Sequence, residues 1–480
     1  MTLNEAENKL ITKLKEYPFW DKFKETSEEL GAEVYLVGGF IRDVLIDRER
    51  PLTEMDFMVI GDGPEFAKLL SEKLGIEQIN IFKTYGTAHF RYNSLNLEFV
   101  GARRESYSRE SRNPVVETGT FEDDIKRRDF TINTLAASVG GTEFGAITDY
   151  FNGLDDLQKR IIRTPLDPGI TFSDDPLRIM RAIRFAAQLD FTIDDNTKEG
   201  IIENRQRLEI ITQERITDEF LKIMSAPQPS VGLKLMFETG VLQVVFPEIA
   251  NLAGVEQRKD FHHKDVFFHT CDVVDNVASV SDNLWLRIAA LLHDVAKPAT
   301  KRFVEGIGWT FHGHEALGAR MVKPIFKKMK FPLTYAPYVE NLVRLHLRPI
   351  ALVSETVTDS AIRRLIVKAG DDLDDLITLC RADITSKNLK KVARYLNNYN
   401  IVMQKVWDIR EKDKLRAFQS PVRGDEIMEI CGLEPSKKVG IVKSKIEEAI
   451  LEGKIENNYE AAKAYLLEIK DELCGEENSR

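Results

Sequence analysis

Three groups of residues in this 480-residue chain have types and spacings that do chemistry. The first is Glu54 and Asp56 in EMDFMVI. They are two apart, so on a strand both side chains point the same way. Such a pair can hold two Mg²⁺ ions about 3.5–4 Å apart, one activating an attacking hydroxyl and one neutralising a leaving pyrophosphate. Upstream, the apolar run Glu33–Val37 ends in Gly38-Gly39, and Arg42 follows one turn into a segment of helical spacing. Two glycines let the backbone approach a triphosphate, the helix start offers unpaired N–H groups, and Arg42 adds a charge-assisted contact. Gly-Gly alone reads as an ordinary turn. The arginine and the carboxylate pair at this spacing point to nucleotide chemistry.

The second group lies further along. Glu98, inside the apolar run Leu95–Val100, is either a third metal ligand on an adjacent strand or an exposed strand residue. In 121–136, FEDDIKRRDFTINTLA, the apolar positions follow helical spacing, which puts Asp129 and Asn133 on one helix face. In TFSDDPLRIMRAIRFAAQL, 171–189, Asp175 before Pro176 reads as an N-cap with proline at the first helical position. Arg178, Arg181 and Arg184 follow at steps of three. A carboxylate accepts from an exocyclic amino group, and an arginine donates to the neighbouring ring nitrogen or carbonyl. Asp175 with Arg178 can therefore accept C and A and reject U and G without a template. The same two residues also suit a helix cap with an i,i+3 ion pair.

The third group is histidine-rich. Seven of the eight histidines fall between His262 and His346. His269 lies in FFHTCDVVDN, His293-Asp294 in LRIAALLHDVAKP, His312 and His314 in FHGHE, and Asp383 in LCRADITS. Burying His and Asp side by side in an apolar helix costs several kcal/mol unless a metal or hydrogen bonds compensate. Mixed imidazole and carboxylate ligands suit a divalent transition metal or Mg²⁺.

GGFIRD followed by a carboxylate-x-Asp strand resembles the nucleotidyltransferases that add CCA to tRNA and their relatives, the bacterial poly(A) polymerases. Glu54 stands where that family usually has Asp. Arg127-Arg128-Asp129 with Asn133 matches its RRDxxxN motif, which implies that Arg128, Asp129 and Asn133 hold nucleotide phosphate and ribose. DDPLR resembles its EDxxR motif, with Asp174 in place of Glu, and implies base recognition by Asp175 and Arg178, with Arg181 and Arg184 beside them. Residues 102–120 are polar, basic and aperiodic and read as a mobile loop. The resemblance places there the loop that helps switch from C to A addition, with Arg103 and Tyr107 at its start. ITQERITDEFLKIM, 211–224, is similar to the helix that braces the family's neck. The histidine pattern looks like an HD domain, a metal-dependent phosphohydrolase. Its implied ligands are His269, His293, Asp294 and Asp383, with His314 as an extra group. His262, His263 and His346 are left as surface or core residues.

The expected architecture is α+β. A small mixed β-sheet nucleotidyltransferase head (1–150) precedes an all-α neck with the nucleobase-selecting motif (151–228), an HD domain (229–400) and a helical tRNA-binding tail (401–480). In the tail, Lys437, Lys438, Lys443 and Lys445 are candidates for phosphate contact, against a plain solvated helix pair. The implied partners are tRNA, CTP and ATP. The implied reaction is attack of the tRNA 3′-hydroxyl on the α-phosphate with loss of pyrophosphate. A net charge of −10 requires any RNA-binding charge to be concentrated on one face. Four scattered cysteines fit a reducing cytoplasm. No 18-residue apolar run appears. The nearest rival is a poly(A) polymerase, whose basic signature is missing from FKTYGTAH at 82–89. Other rivals are an enzyme adding only CC or only A, and an HD phosphohydrolase whose head is an RNA-binding module.

Overall fold

The structure is a computed structural model. It describes residues 1–48, 51–82, 86–108, 111–141, 143–255, 265–306, 308–352, 358–385, 388–413 and 420–474. His262 and His263 lie outside the described residues. Chain contacts divide it into two compact units, Met1–Ala250 and Asn251–Arg480.

In the first unit, β1 (Glu33–Val37), β2 (Glu54–Ile60), β3 (Ile79–Phe82), β4 (Thr87–Tyr92) and β5 (Leu95–Gly101) occupy the expected runs. β6 (Arg103–Ser108) and β7 (Ser111–Thr118) pair with each other as a separate hairpin. β8 (Ala136–Ser138) and β9 (Ile147–Thr148) complete a seven-stranded sheet of order β3-β4-β5-β2-β1-β8-β9. β2 and β5 run parallel, and the other neighbours are antiparallel. Strand alternation divides the chemistry from the core. Phe57 and Phe99 turn to the buried side, where they stack at 4.9 Å and meet Phe23, Phe66 and Phe90. Each such aromatic contact adds roughly 0.5–1.5 kcal/mol beyond burial. Glu54 and Asp56 take the opposite face and stay exposed.

Two expectations fail here for local reasons. Within 102–120, Arg103–Ser108 and Ser111–Thr118 pair as antiparallel strands where a loop is expected, and the polar, aperiodic sequence there gives no alternation to read. The helix expected through residue 136 ends at Lys126. Asp129 Oδ1 accepts the Phe130 N–H at 2.9 Å, a local bond that competes with continued helix, and only a 3₁₀ turn, Thr131–Asn133, follows.

The neck segment is mostly helical, but β10 (Ile161–Ile162) and β11 (Thr192–Ile193) pair in parallel, so it is not all-α. Helix Leu177–Leu189 is buried on nearly every face. Among its described residues the second unit is helical apart from one pair of strands, β12 (Arg302–Val304) with β13 (Gly308–Thr310). Its last three helices, Gly424–Cys431, Lys437–Leu451 and Tyr459–Cys474, share a core built on Val422, Ile427, Val442, Ile446 and Leu466.

Candidate active site and metal centre

β1 ends at Val37, and the chain turns through Gly38 at φ +77, a backbone conformation that L side chains rarely adopt. The open space above it is the site. A Cβ at residue 38 would lie 3.7 Å from both Asp56 Oδ2 and Arg128 Nη1. Asp56 is directly across from Glu98 in the parallel β2–β5 pair, so both carboxylates share one sheet face. Glu54 sits two residues away on that face. His89, opposite Glu98 on β4, extends the row.

Crowded acids raise one another's affinity for protons. The Asp56 carboxyl is pushed up to about 6, first by desolvation in its recess and then by Glu98 and Glu54, with Arg128 opposing. By surface area Asp56 is nonetheless exposed. Neighbour density and solvent contact differ here, and solvent contact decides whether a cation can reach it. Carboxylate oxygens on an open face suit Mg²⁺ by type, although among the described residues Glu54, Asp56 and Glu98 do not bring three ligand atoms as close together as the two histidine groups of the second unit do. Arg128 stands beside them. Its Nη2 is held by buried Asp124 at 2.8 Å, while its buried Nε has no protein partner. That leaves a donor for an anionic ligand.

Four of the other predicted nucleotide residues, Arg42, Asn133, Asp129 and Arg181, form one chain of hydrogen bonds and ion pairs. Arg42 lies within the helix Gly39–Leu45 and is 3% exposed. It bonds Asp43 and donates from Nη1 to Asn133 Oδ1 at 2.8 Å. Asn133 donates to Asp129 Oδ1 at 2.9 Å, so these two meet through a 3₁₀ turn, not along a helix face. Arg181 Nε donates to Asp129 Oδ2 at 2.8 Å. Burial alone would raise the Asp129 carboxyl. Arg181 and Asn133 outweigh it and bring it down to about 2. Arg42, Arg181 and Arg184 all pack over the Phe185 ring, at 4.9, 5.5 and 4.3 Å. Arg184 pairs with buried Glu219 at 3.1 Å, and burial pushes its guanidinium down to about 10.

The Arg178 N–H donates to the Asp175 carbonyl at 3.0 Å, but the two side chains take other partners. Asp175 Oδ1 caps the following helix at the Leu177 N–H, 3.1 Å away, although Pro176, not Asp175, holds the N-cap position. Arg178 donates to the carbonyls of Arg127 at 2.6 Å and Thr171 at 3.5 Å. Arg103 is not with the carboxylates. It opens β6, in the separate two-stranded sheet, whereas Glu98 lies on β5 of the seven-stranded one. It lines a recess of about 730 Å³ with Gly61, Gly63 and Gly101.

The second unit holds a separate centre. His269 comes from helix Val266–Ala278. His293 and Asp294 follow helix Leu284–Leu292, His314 opens helix His314–Lys328, His346 follows helix Ala336–Leu345, and Asp383 follows helix Leu373–Ala382. His269 Nε2 lies 2.9 Å and His293 Nε2 3.6 Å from Asp383 Oδ1. Asp294 Oδ2 lies 3.1 Å from His293 Nε2, and its Oδ1 lies 3.3 Å from His314 Nε2. His314 and His346 meet Nε2 to Nε2 at 3.3 Å. His346 therefore belongs to the cluster, not to the inert core expected of it. Two trios can each take an ion: His269, His293, Asp383, and Asp294, His314, His346.

Second partners aim these rings. The Nδ1 atoms of His293, His314 and His346 each donate to a backbone carbonyl at 2.7 Å, those of Ala290, Phe311 and Val343. This fixes the tautomer and turns every Nε2 inward. Burial opposes charge on His293, but Asp294 and Asp383 outweigh it and push it up to about 10. His346 is pushed down to about 4, by burial and then by His293. His293 Nε2 and Asp294 Oδ2 are buried and held by ion contacts alone, 3.1 Å from each other, with Lys297 Nζ 2.6 Å from the oxygen. The Asp383 side chain is 31% exposed and marks the mouth of the site.

A carboxylate trio beside a glycine turn and an arginine, on this sheet, defines a nucleotidyltransferase head. Family comparison agrees: "Poly A polymerase head domain" matches residues 34–163, "Probable RNA and SrmB- binding site of polymerase A" matches 190–252, and "HD domain" matches 266–383. The chain is 31% identical over 367 residues to the multifunctional CCA protein of Acidovorax sp., covering 73% of this chain and 81% of that protein. It is 29% identical over 452 residues to the CC-adding tRNA nucleotidyltransferase of Thermus thermophilus, covering 91% and 93%. The A-adding tRNA nucleotidyltransferase of Aquifex aeolicus is 33% identical over 310 residues, where the chain spans 62% of its own length and 34% of that relative's. A solved Bacillus stearothermophilus CCA-adding enzyme in complex with CTP shares the fold, with TM-score 0.63 at 21% identity over 94% of this chain and 98% of that one. The chain belongs to the tRNA nucleotidyltransferase and poly(A) polymerase family, with an HD domain.

Sequence reasoning missed His89, Phe185, Glu219 as the partner of Arg184, and His346. Glu219 had a signal in the ERIxxE pattern of its helix. Phe185 had none, because a phenylalanine in an apolar helix reads as core.

Proposed function

We propose that the chain adds CCA to the 3′ end of tRNA from CTP and ATP. The observation that carries this reading is the Asp56–Glu98 pair on one strand face, next to the Gly38 turn and Arg128. Mg²⁺ held by Glu54, Asp56 and Glu98 supplies activation of the attacking hydroxyl and neutralisation of pyrophosphate. Gly38 and Gly39 give the triphosphate room, and Arg128, whose Nη1 lies at the Gly38 turn, offers its guanidinium. Arg42, Asp129 and Asn133 hold the loop around it. Asp175 and Arg178 recognise the base, with Arg178 turning from the Thr171 carbonyl toward the ligand. Positioning and charge neutralisation supply most of the rate. The working division is head 1–150, neck 151–228, HD domain 229–400 and tRNA-binding tail 401–480, in the cytoplasm.

In the histidine centre, His269, His293 and Asp383 would hold one divalent ion and Asp294, His314 and His346 another, and these would supply Lewis acidity for a phosphohydrolase. A second reading of the head, CC addition alone, is favoured by the Thermus thermophilus relative, whose length the chain matches almost throughout. The test is nucleotide addition to a tRNA transcript lacking CCA. Three residues added, C then A, with no growth on UTP or GTP, is the expected result. A stop after CC selects the second reading, and a long adenosine tail overturns both.

A further inference from the structure

We propose that Phe82, His89 and Asn80 form the subsite for the acceptor strand, where the base of the tRNA's last nucleotide stacks and sets its 3′-hydroxyl at the carboxylates. This rests on the nucleotide-addition reading above. Strand register puts Val37, Asp56, Glu98, His89 and Asn80 in one row across β1, β2, β5, β4 and β3. Residues directly opposite one another share a sheet face, so the row runs from the glycine turn to the sheet edge with the acids in its middle. The two substrates meet over those acids from opposite ends of the row, because attacking and leaving oxygens stand roughly in line at the phosphorus. The Gly38 turn and Arg128 lie at the β1 end, where the triphosphate and its leaving pyrophosphate go. The hydroxyl arrives from the β4 side. His89 is two strands from Asp56, roughly 10 Å at ~4.8 Å per strand, a span that the ribose and base of one nucleotide fill. There the sheet offers an aromatic surface. The Phe82 and His89 rings stack at 5.6 Å with 28° between their planes, and Phe82 is 48% exposed. Asn80 Nδ2 donates to His89 Nε2 at 3.0 Å and holds that ring in place. Arg91, two residues beyond His89 on the same face, is exposed and supplies positive charge for the preceding phosphate. Base–aromatic stacking tolerates every base, because each has a π-face. Such a surface suits a primer whose last base changes with each addition, whereas Asp175 and Arg178 select the incoming one.

The test uses the full chain with Mg²⁺, CTP and a tRNA transcript lacking CCA, alongside the same transcript whose last residue has no base. Phe82→Ala and His89→Ala should each lower kcat/KM for the intact transcript roughly five- to hundredfold and leave KM for CTP unchanged. Phe82→Tyr, which keeps the ring, should match the parent. Loss of the terminal base should cost the parent a similar factor and cost the two alanine variants little more. Alanine variants equal to the parent, or equal losses with and without the base, overturn the subsite and leave nucleotide addition standing. A rise in KM for CTP instead gives the rings to the incoming nucleotide and overturns the subsite too. No addition of C by the parent overturns the nucleotide-addition reading and the subsite with it.

Discussion

At the scale of single residues, the two centres differ in how their carboxylates are compensated. Asp56 faces solvent among other acids, so its charge awaits a cation. Asp56→Asn should cut nucleotide addition by at least about a hundredfold while leaving phosphohydrolysis unchanged, assayed on one preparation. Unchanged addition would remove the carboxylate trio from the mechanism. Asp129 has its countercharge built in. Because its carboxyl sits at about 2, below the ordinary 3.8, it stabilises the fold above pH 4, and this contribution fades as pH falls toward 2. Asp129→Asn should cost about 2 kcal/mol at pH 7. The gap between variant and parent urea midpoints should narrow at pH 3. In the histidine centre, His346→Ala should lower bound metal from two ions to one per chain by elemental analysis, and Asp294→Asn, in the same trio, should do the same. Two ions retained in His346→Ala would exclude it as a ligand.

At the scale of elements, helix Leu177–Leu189 connects everything in the first unit's site. Its Arg181 holds Asp129, its Phe185 lies under three guanidinium groups, and its Arg184 is anchored by Glu219 of helix Gln213–Met224. Glu219→Ala leaves Arg184 buried without a countercharge and should cost about 3–5 kcal/mol in urea unfolding. Loss of under 1 kcal/mol would mean that the helix is held by packing alone. What the sequence disclosed follows the same line. Spacing on β2 placed Glu54 and Asp56 together, and the His-Asp step marked the second centre, because short-range geometry fixes which side chains share a face. Contacts across the chain were hidden. His346 is 32 residues from His314, Arg181 is 52 from Asp129, and nothing in periodicity says that they meet. The β6–β7 ribbon escaped notice because alternation is visible only when one face is apolar.

At the scale of the whole molecule, the two candidate sites occupy two compact units, each with its own buried core. A chain of net charge −10 binds RNA only where its basic residues are gathered. Its tRNA affinity should therefore fall steeply and log-linearly with salt, and the slope counts the phosphates contacted. Lys437→Glu with Lys438→Glu should flatten that slope if the tail meets the backbone. An unchanged slope would remove the tail from the interface.

Lys297 carries a consequence of its own. Its ammonium rests against Asp294 Oδ2 where a metal ion would also bind, and it is tethered only one turn away. The centre is a socket with a captive plug. Many small metal sites collapse when stripped, because ligand repulsion is unopposed and binding is coupled to folding. Here the tethered cation stands in for the ion, so loading becomes an exchange of one positive charge for another. Chelation should therefore empty the centre with little change in melting temperature.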